Sequence, residues 1–162
     1  MEEGLSEEDK KFFERVQSSV KTVLNWEDVE VIKLCREQIP WKVLQDSNGK
    51  FSRPQDRYLQ GDALFLQRLC RWFPTFMNWV NAPPCKVCGC TDTEFQTVRG
   101  PESEEEKEGQ ARRVEVYYCP TCDANTTTFP RFNKARKLLE TKLGRCGEYS
   151  NLFGLFCRSA GL

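Results

Sequence analysis

Apolar positions recur at helical spacing along the first part of the chain. Phe12, Phe13, Val16, Val20, Val23 and Leu24 fall near i, i+3, i+4 intervals, with charged residues between them. Ser6-Glu7-Glu8-Asp9 has the form of a capping box, so a helix is predicted from there to about Leu24. Its apolar stripe is expected to dock on the chain's own domain; a partner-binding arm is the alternative. A second helical stretch spans 26–38 and stops before Pro40. Asp46-Ser47-Asn48-Gly49 is a turn. Leu59, Ala63, Leu64, Leu66, Leu69, Trp72, Phe73, Phe76 and Trp79 then mark a longer helical region over 56–80, which Pro74 should kink or split.

Beyond Pro83-Pro84 the period changes. Runs at 94–99 and 112–118 read as strands, and in the second Val114, Val116 and Tyr118 alternate with charged or polar residues. The acidic stretch between them, 101–109, reads as a solvated hairpin tip with no ligand. A third strand is expected over 126–129, and a helix capped by Asn133 runs through Lys142 and is ended by Gly144. A last helix starts near Cys146 and runs to about Ala160. The class is therefore α+β and mainly helical. A helical region covers 1–55, and a second region, 56–162, carries a hairpin subdomain at 83–130.

Composition narrows the partners and the compartment. Lys+Arg and Asp+Glu balance at 24 each, so net charge offers no argument for nucleic acid or an anionic membrane. No apolar run approaches a membrane span, and Met1-Glu2-Glu3-Gly4 does not read as a secretory signal. Nine cysteines, an odd number, include two C-x-x-C pairs, which argues for a metal in a reducing compartment, the cytosol or also the nucleus.

Cys85, Cys88, Cys119 and Cys122 fit one structural zinc ion. Two C-x-x-C turns at the end of a hairpin bring four thiolates into the tetrahedral set zinc prefers. Cys90 is an alternate to Cys88 at a poorer spacing from Cys85. A thioredoxin-like pair needs a βαβ context that this pattern lacks. Four thiolates close the site, so the metal holds structure and does not activate water.

Cys146 is the candidate nucleophile. The first turn of a helix supplies backbone N–H groups and the positive end of the dipole, and Arg145 adds charge. Gly144 and Gly147 are expected to let the backbone turn and leave the sulfur approachable. Glu148 occupies the first turn, where an acid is favourable. Cys35, Cys70 and Cys157 are expected to be buried structural thiols.

The run Arg145-Cys146-Gly147-Glu148-Tyr149-Ser150-Asn151 resembles the nucleophile motif of cytosolic peptide N-glycanases, members of the transglutaminase-like superfamily. Trp79-Val80-Asn81-Ala82-Pro83-Pro84-Cys85, Phe129-Pro130-Arg131-Phe132-Asn133 and Leu138-Leu139-Glu140-Thr141 resemble segments of that family in the same order. Tyr149-Ser150 departs from the family's usual Trp-Ala. The resemblance implies a partial transglutaminase-like, or papain-like, cysteine hydrolase. It implies Cys146 as nucleophile in cleavage of the Asn–GlcNAc amide of misfolded N-glycoproteins, within ER-associated degradation. It also suggests that Trp79 lines the substrate cleft; a core tryptophan is the alternative.

The family's histidine and aspartate lie downstream of the nucleophile helix, and these 162 residues contain no histidine. The chain is accordingly expected to be a fragment, a truncated gene product or a splice form, inactive alone, with apolar surface of its last helix exposed where the core sheet is missing. The resemblance further implies ubiquitin-like proteasome-shuttle proteins and the proteasome as partners. A non-catalytic transglutaminase-like interaction module is the alternative function.

Overall fold

The computed structural model describes residues 6–162. Helix α1 (Glu7–Leu24) starts at the expected capping box: Ser6 Oγ accepts the Asp9 N–H at 3.2 Å, and Asp9 Oδ2 accepts the Ser6 N–H at 3.1 Å. Its orientation corrects the docking expectation. The side facing the domain is polar: Arg112 donates to Ser18 and Asn133 Nδ2 donates to Thr22 Oγ1. Phe12, Val16, Val20 and Val23 lie on the opposite side, each more than 40% exposed, and no residue of α1 is buried. At 100° per residue, positions 18 and 22 oppose 16, 20 and 23 on the helical wheel.

A single 3₁₀ turn (Asn25–Glu27) precedes α2 (Val29–Gln38), whose N-cap Asp28 accepts the N–H groups of Glu30 and Val31. Short α3 (Trp41–Gln45) and the 46–49 turn lead to a second 3₁₀ turn, Pro54–Tyr58. The long helical region predicted over 56–80 is shorter than expected. Helix α4 is Gly61–Phe76, and it continues past Pro74 for two residues. Asn78 and Trp79 then form strand β1.

Strands β2 (Glu94–Arg99), β3 (Val114–Cys119) and β4 (Ala124–Pro130) make an antiparallel sheet in the order β2-β3-β4. The acidic tip between β2 and β3 is not simply solvated. It folds into α5 (Glu104–Glu108), and Glu106 is buried in a bidentate pair with Arg99 at 2.8 and 2.9 Å. Helix α6 (Ala135–Thr141) is followed by β5 (Leu143–Gly144) and α7 (Cys146–Ala160). Asn133 does not cap α6; that position is Lys134. Lys142, at φ 53°, ends the helix in place of Gly144.

One apolar cluster joins α2, α4, α6 and α7. Phe156 is fully buried and meets Trp72, Phe73 and Phe76 edge-on, with ring centroids 5.0 to 5.6 Å apart. The last helix was expected to expose apolar surface. Instead Leu152, Leu155 and Phe156 are all 0% exposed, because three helices of this chain already surround them. Cys35 is buried as expected, but Cys157 is only half-buried and Cys70 is exposed.

Candidate active site and metal centre

The two C-x-x-C pairs meet at one end of the sheet. Cys119 closes β3 and Cys122 sits in the turn to β4, while Cys85 and Cys88 form the facing knuckle. Gly89, at φ +75°, lets that knuckle close, with its N–H on the Cys85 carbonyl at 2.9 Å. All four sulfurs lie within 4.8 Å of one another. Cys85–Cys122 and Cys88–Cys119 are separated by 3.8 and 3.6 Å. A tetrahedron with metal–sulfur arms of about 2.3 Å has edges of about 3.8 Å. The donor set and its spacing thus fit a metal ion. Cys90 stays outside the cluster. The Thr126 hydroxyl, 2.9 Å from Cys85 Sγ, favours the thiolate there and pulls that thiol down to about 5.

Cys146 is the first residue of α7, and its side chain is exposed. Strands β1 and β5 pair in parallel, setting Trp79 opposite Gly144, two residues before the thiol. Trp79 is 52% exposed in this chain. Its ring leans on Tyr149 at 5.4 Å, and its Nε1 donates to Asn81 Oδ1 at 2.8 Å. Tyr149, one helical turn beyond Cys146, donates its hydroxyl to the Met77 carbonyl.

Sequence reasoning missed a chain of buried charges beneath this turn. Glu148, 6% exposed, accepts the Arg145 N–H at 2.9 Å and is held by Nε and Nη2 of Arg131, each at 2.7 Å. Arg131 also reaches Glu115 at 2.9 Å, and Glu115 takes Arg145 at 2.9 Å and the Tyr117 hydroxyl at 2.8 Å. Burial pushes the Glu115 carboxyl up, but the Tyr117 and Arg131 hydrogen bonds and the two guanidinium charges outweigh it and leave it lowered. Arg131 is raised in turn, first by its bond to Glu148.

Two expectations about this turn change. Arg145 was expected to add charge beside the thiol; its guanidinium is instead bonded to Glu115, to Tyr117 and to the carbonyls of Val80 and Asn81, the last two at 2.7 Å. Neither Gly144 nor Gly147 has a positive φ, so neither serves a sharp turn. Gly144 is there for space, because a Cβ would sit 2.4 Å from the Glu148 Cβ.

The Transglutaminase-like superfamily matches residues 92–162. Three curated proteins named peptide-N(4)-(N-acetyl-beta-glucosaminyl)asparagine amidase are similar over most of the chain. The Oryza sativa protein is 40% identical over 157 residues, 93% of this chain and 34% of that protein. The Homo sapiens protein is 35% identical over 159 residues, 94% of this chain and 24% of that protein. The Caenorhabditis elegans protein is 34% identical over 160 residues, 97% of this chain and 25% of that protein. The chain thus spans only about a quarter to a third of the length of these relatives. Residues 92–162 are thus similar to the transglutaminase-like superfamily, and most of the chain is similar to part of the proteins named peptide-N(4)-(N-acetyl-beta-glucosaminyl)asparagine amidase.

Proposed function

We propose that this chain carries the nucleophile and the zinc hairpin of a peptide N-glycanase acting on misfolded N-glycoproteins in the cytosol. The observation that carries the reading is an exposed thiol on the first turn of α7, beside an exposed tryptophan, in a chain 34–40% identical to proteins named for that reaction. The Cys146 thiolate attacks the side-chain carbonyl carbon of the glycosylated asparagine. The carbon–nitrogen bond breaks, the nitrogen takes a proton and leaves as the glycosylamine, and a thioester remains on Cys146. Water then hydrolyses the thioester, leaving aspartate and the free thiol. Trp79 offers an aromatic face to the sugar.

A histidine imidazole is the commonest group for removing and returning such a proton. These 162 residues contain no histidine, so the chain on its own is expected to give no turnover. Cys85, Cys88, Cys119 and Cys122 would hold the zinc ion. When bound, it braces the hairpin structurally, since four thiolates leave no open position for water.

The test is a chimera in which these residues replace the matching segment of the rice amidase. It is assayed on a denatured N-glycoprotein, with conversion of asparagine to aspartate read by mass spectrometry. Conversion that vanishes in Cys146→Ala is expected. A folded, zinc-loaded chimera without activity, or activity that survives Cys146→Ala, would overturn the assignment.

A second reading rests on α1. Its apolar stripe faces away from the domain, which supports a binding arm for a ubiquitin-like proteasome-shuttle protein. Pull-down by the whole chain, lost in Val16→Asp/Val20→Asp, is the expected result; binding unchanged by that pair would remove the reading.

A further inference from the structure

The geometry points to Glu115 as a positioning residue that fixes, by its charge, both the thiol-bearing turn of α7 and the Trp79 wall beside it. This rests on the reading of Cys146 as the nucleophile. Glu148, Arg131, Glu115 and Arg145 form a line of alternating charges. The two ends of that line, Arg145 and Glu148, bracket Cys146 in sequence. Glu115 is its inner negative member, 4% exposed, with guanidinium groups on both sides.

Glu115 lies outside the two structures that stabilise the rest of the chain. It is not part of the apolar cluster. It also sits well up the β3–β4 hairpin from the cysteines, paired with Phe129, whereas Cys119 pairs with Ala124 beside the turn. A buried ion-pair chain is weak evidence for net stability and better suited to selecting one geometry.

The geometry it selects runs through Arg145. With one face of its guanidinium on Glu115, Arg145 directs Nε to the Val80 carbonyl and Nη2 to the Asn81 carbonyl, each at 2.7 Å. Those bonds pin the segment after Trp79 to the residue before Cys146. The β1–β5 rungs lie alongside, with Asn78 N–H on the Lys142 carbonyl at 2.8 Å and Val80 N–H on the Gly144 carbonyl at 3.1 Å. On the other side Arg131 clamps Glu148, whose carboxylate closes the N-terminus of α7. Both guanidinium groups also rest on the Phe129 ring, at 5.5 and 5.8 Å. Without the Glu115 charge, Arg131 keeps its pair with Glu148, whereas Arg145 loses its carboxylate, and Arg145 is the more exposed of the two.

Two conservative variants separate charge from shape. Glu115→Gln keeps the shape and loses the charge; Glu115→Asp keeps the charge and loses a methylene. Amide hydrogen exchange of the zinc-loaded chain is read at Val80 and Arg145, with iodoacetamide labelling of buried Cys35 as the control for intact folding. The expected result is at least tenfold faster exchange at both amides in Glu115→Gln. Recovery to within threefold of wild type is expected in Glu115→Asp, with Cys35 protected throughout. A packing role gives the reverse order, Asp worse than Gln, and overturns the proposal. Exchange unchanged in both variants, or Cys35 labelled in Glu115→Gln, overturns it as well. The nucleophile reading is tested apart, in wild type: Cys146 labelling no faster than exposed Cys70 would sink that reading without touching the exchange result.

Discussion

Gly144→Ala and Gly147→Ala make the same chemical change three residues apart and should move stability in opposite directions. At Gly144 an added Cβ falls 2.4 Å from the Glu148 Cβ and 2.6 Å from the Met77 Cε. Both contacts are far inside van der Waals distance, and neither neighbour gives way easily. Met77 is 0% exposed, and Glu148 is held by Arg131 and by the Arg145 N–H. Overpacking of this kind costs about 1–3 kcal/mol, and the rigid neighbours place Gly144→Ala near ~2 kcal/mol. At Gly147 an added Cβ meets nothing within 4 Å, and the residue is helical. Alanine there removes the entropic cost of glycine, worth about 0.5 kcal/mol in stabilisation. Urea unfolding of the zinc-loaded chain, fitted with a shared slope of roughly 2 kcal/mol per molar, should lower the Gly144→Ala midpoint by about 1 M. Gly147→Ala should raise it slightly. A Gly144→Ala midpoint within about 0.2 M of wild type would refute the steric argument, as would a Gly147→Ala variant less stable than wild type by ~1 kcal/mol or more.

Other consequences are open to simpler tests. The hydrogen bonds from Arg99 hold the Glu106 carboxyl at about 2, below its ordinary 4.5. A lowered carboxyl contributes stability above its unfolded value and loses it as pH falls through the folded one. Glu106→Gln should therefore cost about 2 kcal/mol at pH 7, a discounted figure because Arg99 is partly exposed, and the gap to wild type should close between about pH 5 and pH 2. A gap independent of pH would contradict this. Val16→Asp/Val20→Asp should leave the unfolding free energy within ~0.5 kcal/mol, since both side chains face solvent. A larger loss would show that α1 docks by its apolar side. Chelation of the metal should speed amide exchange along β3 and β4 while α4 and α7 stay protected, because the apolar cluster contains no residue of the three-stranded sheet. Uniform loss of protection would count against that division.

Local chemistry was legible in the sequence; long-range polar pairing was not. The capping box at Ser6, the start of α7 at Cys146 and the grouping of four cysteines each depend on residues close together in sequence or on ligand spacing. On β3 the alternation of Val114, Val116 and Tyr118 with polar residues did not reveal that Glu115, Tyr117 and Cys119 are buried as well as Val114. The available signal was Cys119 itself: a residue turned toward the metal cluster fixes which parity faces inward, and Glu115 shares it. The partners of Glu115 lie 16 and 30 residues away, on Arg131 and Arg145, beyond the reach of any periodicity. The orientation of α1 was missed for a related reason. Amphipathicity tells which side is apolar, not whether the domain or a partner covers it.

The parallel pairing of β1 with β5 also shapes the order in which the chain assembles. Asn78 and Leu143 meet across 65 residues of sequence, so the two walls of the site stay apart until a long excursion closes. A metal held between Cys85 and Cys122 short-circuits more than half of that excursion. Loop-closure entropy grows as 1.5 RT ln n, so the shortcut is worth about 0.7 kcal/mol, or roughly threefold in the chance that the ends meet. The tetrathiolate knot is thus a folding aid for a site it never touches.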